Sequence, residues 1–242
     1  MRSSLRALAA LLSYPRDEML AALPEIRAVL VRDPVIAPAL PGLDALIAHL
    51  AAGDPLDLQE AYVGLFDRSR GLCLNLFEHV HGDGRERGPA MVELIGIYDS
   101  AGLDPTAGEL PDYLPMMLEF AAVDPVRGAE LLGNAAPVLD LLHGRLMARD
   151  SAYAAVLHAT SLVAGAKLGD VPLTDTADPT PEELDAAYEE AAVIFGPGAD
   201  PAADCGVDAL SAKLRAAHRN PNPLPPRRPV IRRVATLLSG GR

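Results

Sequence analysis

The chain has no tryptophan, and its aromatic content is only 4%. A 242-residue chain that is half apolar yet so poor in rings must fill its interior with Leu, Ala, Val and Ile. At helical spacing, that composition points to an all-α fold. Cysteine is almost missing as well. Cys73 and Cys205 stand far apart, with no Cys-x-x-Cys and no Cys/His pairing at ligand spacing, so a zinc ribbon or a redox dithiol is excluded and a reducing compartment fits. Acidic residues stop altogether at Asp208. The basic side chains beyond it are Lys213, Arg215, Arg219, Arg227, Arg228, Arg232, Arg233 and Arg242. They carry +8 of a chain total of −12, which leaves −20 on residues 1–208. Such a body repels phosphate backbones and attracts cationic segments over a Debye length of about 8–10 Å, so nucleic acid is set aside as a partner.

Long apolar runs are scarce. The stretch 153–169 is interrupted by His158, Thr160, Ser161 and Lys167 and falls short of the ~20 apolar residues of a bilayer span. At the N-terminus Arg2 and Arg6 precede an apolar run at 7–12, which is too short for a signal sequence and gives way to Tyr14-Pro15-Arg16-Asp17-Glu18 without a small-residue cleavage site. It is predicted to be the first core helix, and no stable membrane insertion is expected. A Gly-x-Ser-x-Gly elbow is also lacking, and Ser69, Ser100 and Ser161 have no evident base, so serine-nucleophile chemistry is not expected.

Helix punctuation is abundant. Asp-Pro recurs at 33–34, 54–55, 104–105, 124–125, 178–179 and 200–201, and Asp as a cap followed by Pro at the first helical position opens helices. Thr180-Pro181-Glu182-Glu183 adds a capping box before 184–195. Helices are predicted near 3–13, 16–32, 41–52, 55–68, 71–80, 88–101, 112–123, 125–149, 151–168 and 181–195, and no window alternates strictly enough for a strand. The reading is a multi-helix domain over 1–196. A basic, Pro-rich extension over 197–242 follows, with short helical patterns around 207–218 and 229–238.

Polar and aromatic residues cluster in 60–120. Glu78-His79-Val80-His81 offers metal-ligand types, but residues two apart diverge by about 200° on a helix, so a metal site needs the helix to end between the histidines. Gly82 and Gly84 allow that ending. Capping, partner binding and metal binding therefore all stay open for His79 and His81. The turn from Gly82 to Gly88 offers Arg85 and Arg87 to an anion, although it follows a helix and lacks the Lys-Ser/Thr of a phosphate loop; pairing with Glu86 or Asp83 is the alternative. Asp112, between Pro111 and Pro115, is predicted to cap the helix that starts there, with Leu114, Met117, Leu118 and Ala121 toward the core.

Three segments then stand out together: Tyr62-Val-Gly-Leu-Phe-Asp67, Phe77-Glu-His-Val-His-Gly82 with Arg85-Glu-Arg-Gly88, and Glu109-Leu-Pro-Asp-Tyr-Leu-Pro115 with Leu118-Glu-Phe120. In this order, with Leu11-Leu-Ser-Tyr-Pro15 before them, they resemble the NarJ-type nitrate reductase assembly chaperones, also called delta subunits, along residues 5–196. The resemblance implies a cytoplasmic all-α chaperone, not an enzyme. It would have no cofactor of its own, and it would bind the N-terminal segment of the nitrate reductase catalytic (alpha) subunit, holding the apoenzyme while the molybdenum cofactor is inserted. The wider family carries Glu-Pro-x-Asp-His where this chain has Glu109-Leu-Pro-Asp-Tyr113, so no imidazole role passes to Tyr113.

The residues expected to hold the guest are Tyr62, Phe66, Tyr113 and Met117 as apolar lining. Asp67, Glu78, Asp112 and Glu119 would contact its basic side chains, with His79 and His81 nearby. Two alternatives remain beside this reading. One is a metal-assisted hydrolase using Glu78, His79 and His81; the other is a carrier of the molybdopterin guanine dinucleotide cofactor using Arg85 and Arg87.

Overall fold

Aspartate and proline set where helices begin. In the computed structural model, which describes residues 1–82, 84–105 and 108–165, Asp33, Asp54 and Asp124 each turn a carboxylate oxygen onto a backbone N–H of the next segment. The donors are Val35, Leu56 and Arg127, at 3.1, 2.9 and 3.1 Å. A proline follows each cap and gives up no hydrogen bond at that position.

The helices are α1 (Arg2–Leu11), α2 (Asp17–Ala21), α3 (Leu23–Leu30), α4 (Leu40–Ala52), α5 (Pro55–Tyr62), α6 (Leu76–His81), α7 (Arg87–Ser100), α8 (Leu114–Val123), α9 (Pro125–Asn134), α10 (Ala136–Ala148) and α11 (Ala154–Val163). Short 3-10 turns at Pro34–Ala39 and Arg70–Leu72 and a π-helical turn at Val63–Asp67 join them. No strand occurs among the described residues. The predicted helix at 181–195 with its capping box, the patterns at 207–218 and 229–238 and the boundary at 196 lie outside them.

α1 is the central rod. Leu8, Leu11 and Leu12 are fully buried, and Ser4, Ala7, Ala9 and Ala10 nearly so, because α8, α3 and α11 surround the helix. Alanines along α1 let those neighbours approach closely. Leu43 and Leu46 of α4, Leu139 and Leu142 of α10 and Leu157 of α11 complete the main core. A smaller cluster of Leu94, Tyr98, Met116 and Phe120 holds α7 against α8. The Tyr98 hydroxyl donates to the Pro111 carbonyl at 2.7 Å, which fixes the segment leading into α8.

Four predicted helices differ in detail. The helix at 16–32 breaks into α2 and α3, and that at 125–149 into α9 and α10. Pro24 and Pro137 cannot donate to the carbonyl four residues back, and their rings crowd it. The helix at 55–68 continues past Tyr62 as a π turn, closed by Arg68 N–H to the Val63 carbonyl at 3.0 Å. That at 71–80 begins only at Leu76, because the chain before it pairs with the segment before α8: Asn75 and Tyr113 form an antiparallel bridge, with Leu76 N–H to Asp112 O at 3.1 Å and Leu114 N–H to Leu74 O at 2.9 Å.

Pro34–Ala52, a 3-10 turn running into α4, is long and apolar enough to cross a membrane by length and composition, whereas the sequence reading placed the most apolar stretch at 153–169. Its apolar side faces the core, with Ile36, Leu43 and Leu46 at 0% exposure.

Close approach constrains several glycines, Gly128 most tightly. A Cβ on Gly128 of α9 would lie 2.3 Å from the Ala121 Cα of α8, so Gly128→Ala must force two helices apart and should cost about 1–3 kcal/mol. Gly133, in the same helix, has nothing within 4 Å. Gly133→Ala should instead stabilise by up to about 1 kcal/mol. Urea unfolding of both variants reads the opposite signs.

Candidate functional site

Tyr62 occupies the place where α1, the end of α5 and the start of α8 meet. Its ring packs edge-on to Tyr14 at 5.6 Å, against Phe66 at 4.9 Å and near Tyr153 at 6.3 Å. Its hydroxyl donates to the Leu12 carbonyl at 2.7 Å and lies 3.2 Å from the Tyr113 hydroxyl. A phenol has one proton, so with Leu12 as its acceptor the Tyr62 oxygen is left to accept toward Tyr113. Burial, and then the neighbouring Tyr113, push the Tyr62 phenol far above its ordinary range, so it stays neutral.

Beside this pair opens a cleft of about 530 Å³ between α1, α2, α3 and the start of α8. Its floor is apolar and soft: Ala10, Tyr14, Met19, Ile26, Pro115 and Met116, with Tyr62 and Tyr113 behind. Its rim is charged and mostly of one sign. Glu18, Asp67, Glu109 and Glu119 face it, opposed by Arg16. The Asp67 carboxyl is pushed above the ordinary carboxylate range, by burial first and by the Glu109 charge second. The π turn supplies both surfaces, setting Phe66 into the core while Asp67 reaches the rim.

Of the residues expected to hold a guest, Tyr62, Asp67, Tyr113 and Glu119 line this cleft. Phe66 and Met117, 3% and 1% exposed, are packed in the main core, whereas Met116, also buried in the α7–α8 cluster, borders the cleft. Asp112 is fully buried. It caps not its own helix but α6, accepting from Phe77 N–H at 3.0 Å and from the Asn75 amide at 3.2 Å. Glu78, His79 and His81 lie on α6, away from the cleft lining. The wall from α1 to α3 was not foreseen; Tyr14-Pro15 followed by Asp17-Glu18 and Met19 was its one sequence signal.

The α6 histidines have structural partners. His79 Nε2 meets the Cys73 carbonyl at 2.7 Å, and because a carbonyl only accepts, Nε2 carries the proton. Burial lowers the His79 pKa, which keeps the ring neutral. His81 stacks edge-on to Phe77 at 5.5 Å, and α6 ends at Gly82 in the left-handed region, φ +52°. Glu78 approaches the Cys73 thiol at 3.4 Å and Arg87 at 3.9 Å, so Arg87 turns to Glu78 and not to Glu86. Burial, with Glu78 beside it, pushes the thiol up to about 11. Among the described residues, no three His, Cys, Asp or Glu side chains are grouped to hold a metal ion. Arg85 is exposed at the turn.

A family model described as nitrate reductase delta subunit matches residues 33–159. The chain is 41% identical to the nitrate reductase molybdenum cofactor assembly chaperone NarJ of Escherichia coli K12, over 72% of this chain and 74% of that one. It is 39% identical to the probable chaperone NarW of the same strain, over 79% and 83% of the two chains. It is also 36% identical to the probable NarJ of Bacillus subtilis 168, over 63% and 83%.

Two variants test the local account. Asp112→Ala leaves the Phe77 N–H and the Asn75 amide without their acceptor in a buried place and should cost about 1–3 kcal/mol in thermal or denaturant unfolding. For Asp67 the folded pKa is raised, so the native state binds that proton more tightly than the unfolded chain, and its contribution to stability grows as pH falls through the carboxylate range. Asp67→Asn should therefore be more stable than the parent at pH 7, with the difference shrinking on acidification. A variant less stable than the parent at pH 7 would refute the like-charge reading of the rim.

Proposed function

The chain belongs to the nitrate reductase delta subunit family, and from that premise we propose that it is a cytoplasmic assembly chaperone, not an enzyme. In this reading its cleft holds the N-terminal segment of the nitrate reductase catalytic subunit while the molybdenum cofactor is inserted into the apoenzyme. One observation carries the proposal. A preformed apolar trough with Met19, Met116 and two tyrosines is bordered by Glu18, Asp67, Glu109 and Glu119. A helix docking in a groove needs such a pairing of surfaces, since its apolar side enters the trough and basic side chains reach the rim.

The charges and the floor have separate tasks. Carboxylates on a body of −20 accelerate the approach of a cationic segment and set its direction, whereas most of the affinity comes from burying apolar side chains. Methionine suits such a floor, because its unbranched, polarizable side chain adapts to the shape of the guest. No bond changes in this process. The chaperone acts by occupying the segment and releasing it when the cofactor is in place.

Titration calorimetry with a synthetic peptide carrying the N-terminal segment of the catalytic subunit tests the assignment. The double variant Asp67→Asn with Glu119→Gln should weaken binding about tenfold at low salt and flatten its salt dependence. Glu78→Gln, outside the cleft lining, should leave the affinity unchanged. Equal affinities for parent and double variant would remove the cleft from the proposal.

A further inference from the structure

The sequence holds a segment with the chemistry this cleft selects. Val230, Ile231, Val234, Leu237 and Leu238 recur at the spacing of one helical face, and Arg227, Arg228, Arg232 and Arg233 accompany them with no acidic residue anywhere after Asp208. The rim facing the cleft is acidic in the opposite sense: Glu18, Asp67, Glu109 and Glu119 against Arg16. Residues 166–226 connect the described helices to this segment, and even with the predicted helices at 181–195 and 207–218 formed, the remaining chain is long enough to return residues 227–238 to the domain.

We infer that residues 227–238 are an internal occupant of the cleft, competing with the incoming guest for the same apolar trough and the same carboxylates. The inference rests on the reading of the cleft as the guest site. Covalent attachment turns a weak contact into a populated one, because a tethered segment meets its site at an effective concentration on the order of millimolar. The consequence is a sheltered trough. Without a guest, the half-buried Met19 and Tyr14 are covered instead of exposed to other apolar surfaces, and the guest must displace the tail, which filters out segments that bind no better.

The test uses the full chain and the quadruple variant Arg227→Glu, Arg228→Glu, Arg232→Glu, Arg233→Glu. The same synthetic peptide should bind the variant about tenfold more tightly than the parent, because its competitor has been removed. Equal affinity overturns the inference and leaves the guest reading standing, whereas peptide binding to neither chain overturns the guest reading. A second measurement needs no peptide. A photo-crosslinking amino acid at Leu237 of the full chain should join to Met19 or Met116 of the same molecule, and the yield should fall in the quadruple variant. Cross-links confined to other surfaces, or formed between two copies, overturn the inference whatever the peptide does.

Discussion

Leu12 ends α1, and its carbonyl, like the last carbonyls of any helix, has no partner further along the helix. The Tyr62 hydroxyl fills that vacancy from α5 and keeps its own oxygen within reach of Tyr113 at the start of α8. Three segments distant in sequence are thereby held at one point by a buried phenol. Left without an acceptor, that phenol would cost about 1–3 kcal/mol. The rings of Tyr14, Phe66 and Tyr153 fix its orientation. Everything about the cleft follows from this junction, because the spacing of its walls is the spacing of α1 from α8. The trough is therefore formed before any guest arrives, which lowers the ordering cost of binding.

Near Cys73 the chain solves a different problem in a similar way. Leu74–Leu76 and Asp112–Leu114 exchange two backbone hydrogen bonds, and the Asp112 side chain reaches across that bridge to cap α6. Because Tyr113 belongs both to this bridge and to the contact with Tyr62, the two devices are coupled. Asp112 does not line the cleft, but its neighbour Tyr113 and its hydrogen-bond partner Asn75 both do.

The helical class and most helix positions were legible because they depend on local rules. Asp-Pro pairs and 3.6-residue apolar spacing act within a few residues, and so do the breaks at Pro24 and Pro137, which the same rules contained but the length of the apolar pattern concealed. The π turn and the extended run before Leu76 were not legible. The first changes the direction of Phe66 and Asp67 without changing composition, and the second depends on a bridge to a segment nearly forty positions away. For the cleft, the aromatic and acidic residues of 60–120 supply part of the lining, among them Tyr62, Asp67, Tyr113 and Glu119. Which of them border the cleft depends on helix rotation: adjacent Met116 and Met117 are both buried, but only Met116 lines the trough. Glu78, His79 and His81 resembled a ligand set because residue type is visible in sequence and the Cys73 carbonyl that engages His79 is not.

The Asp67 carboxylate of the rim is a cost to the native state. Burial and the Glu109 charge both disfavour the ionised form of Asp67, so at neutral pH the folded protein holds a charge that it would hold more easily unfolded. Interior packing does not require that carboxylate: Asp67 is exposed, and an amide of the same shape would fill the position. A group that weakens the fold and is dispensable for packing makes sense when its charge is compensated by something outside the helical domain. The compensating partner must be cationic and must also cover Met19 and Met116, since a bare cation would neutralise the rim and leave the trough wet. An amphipathic basic helix meets both conditions.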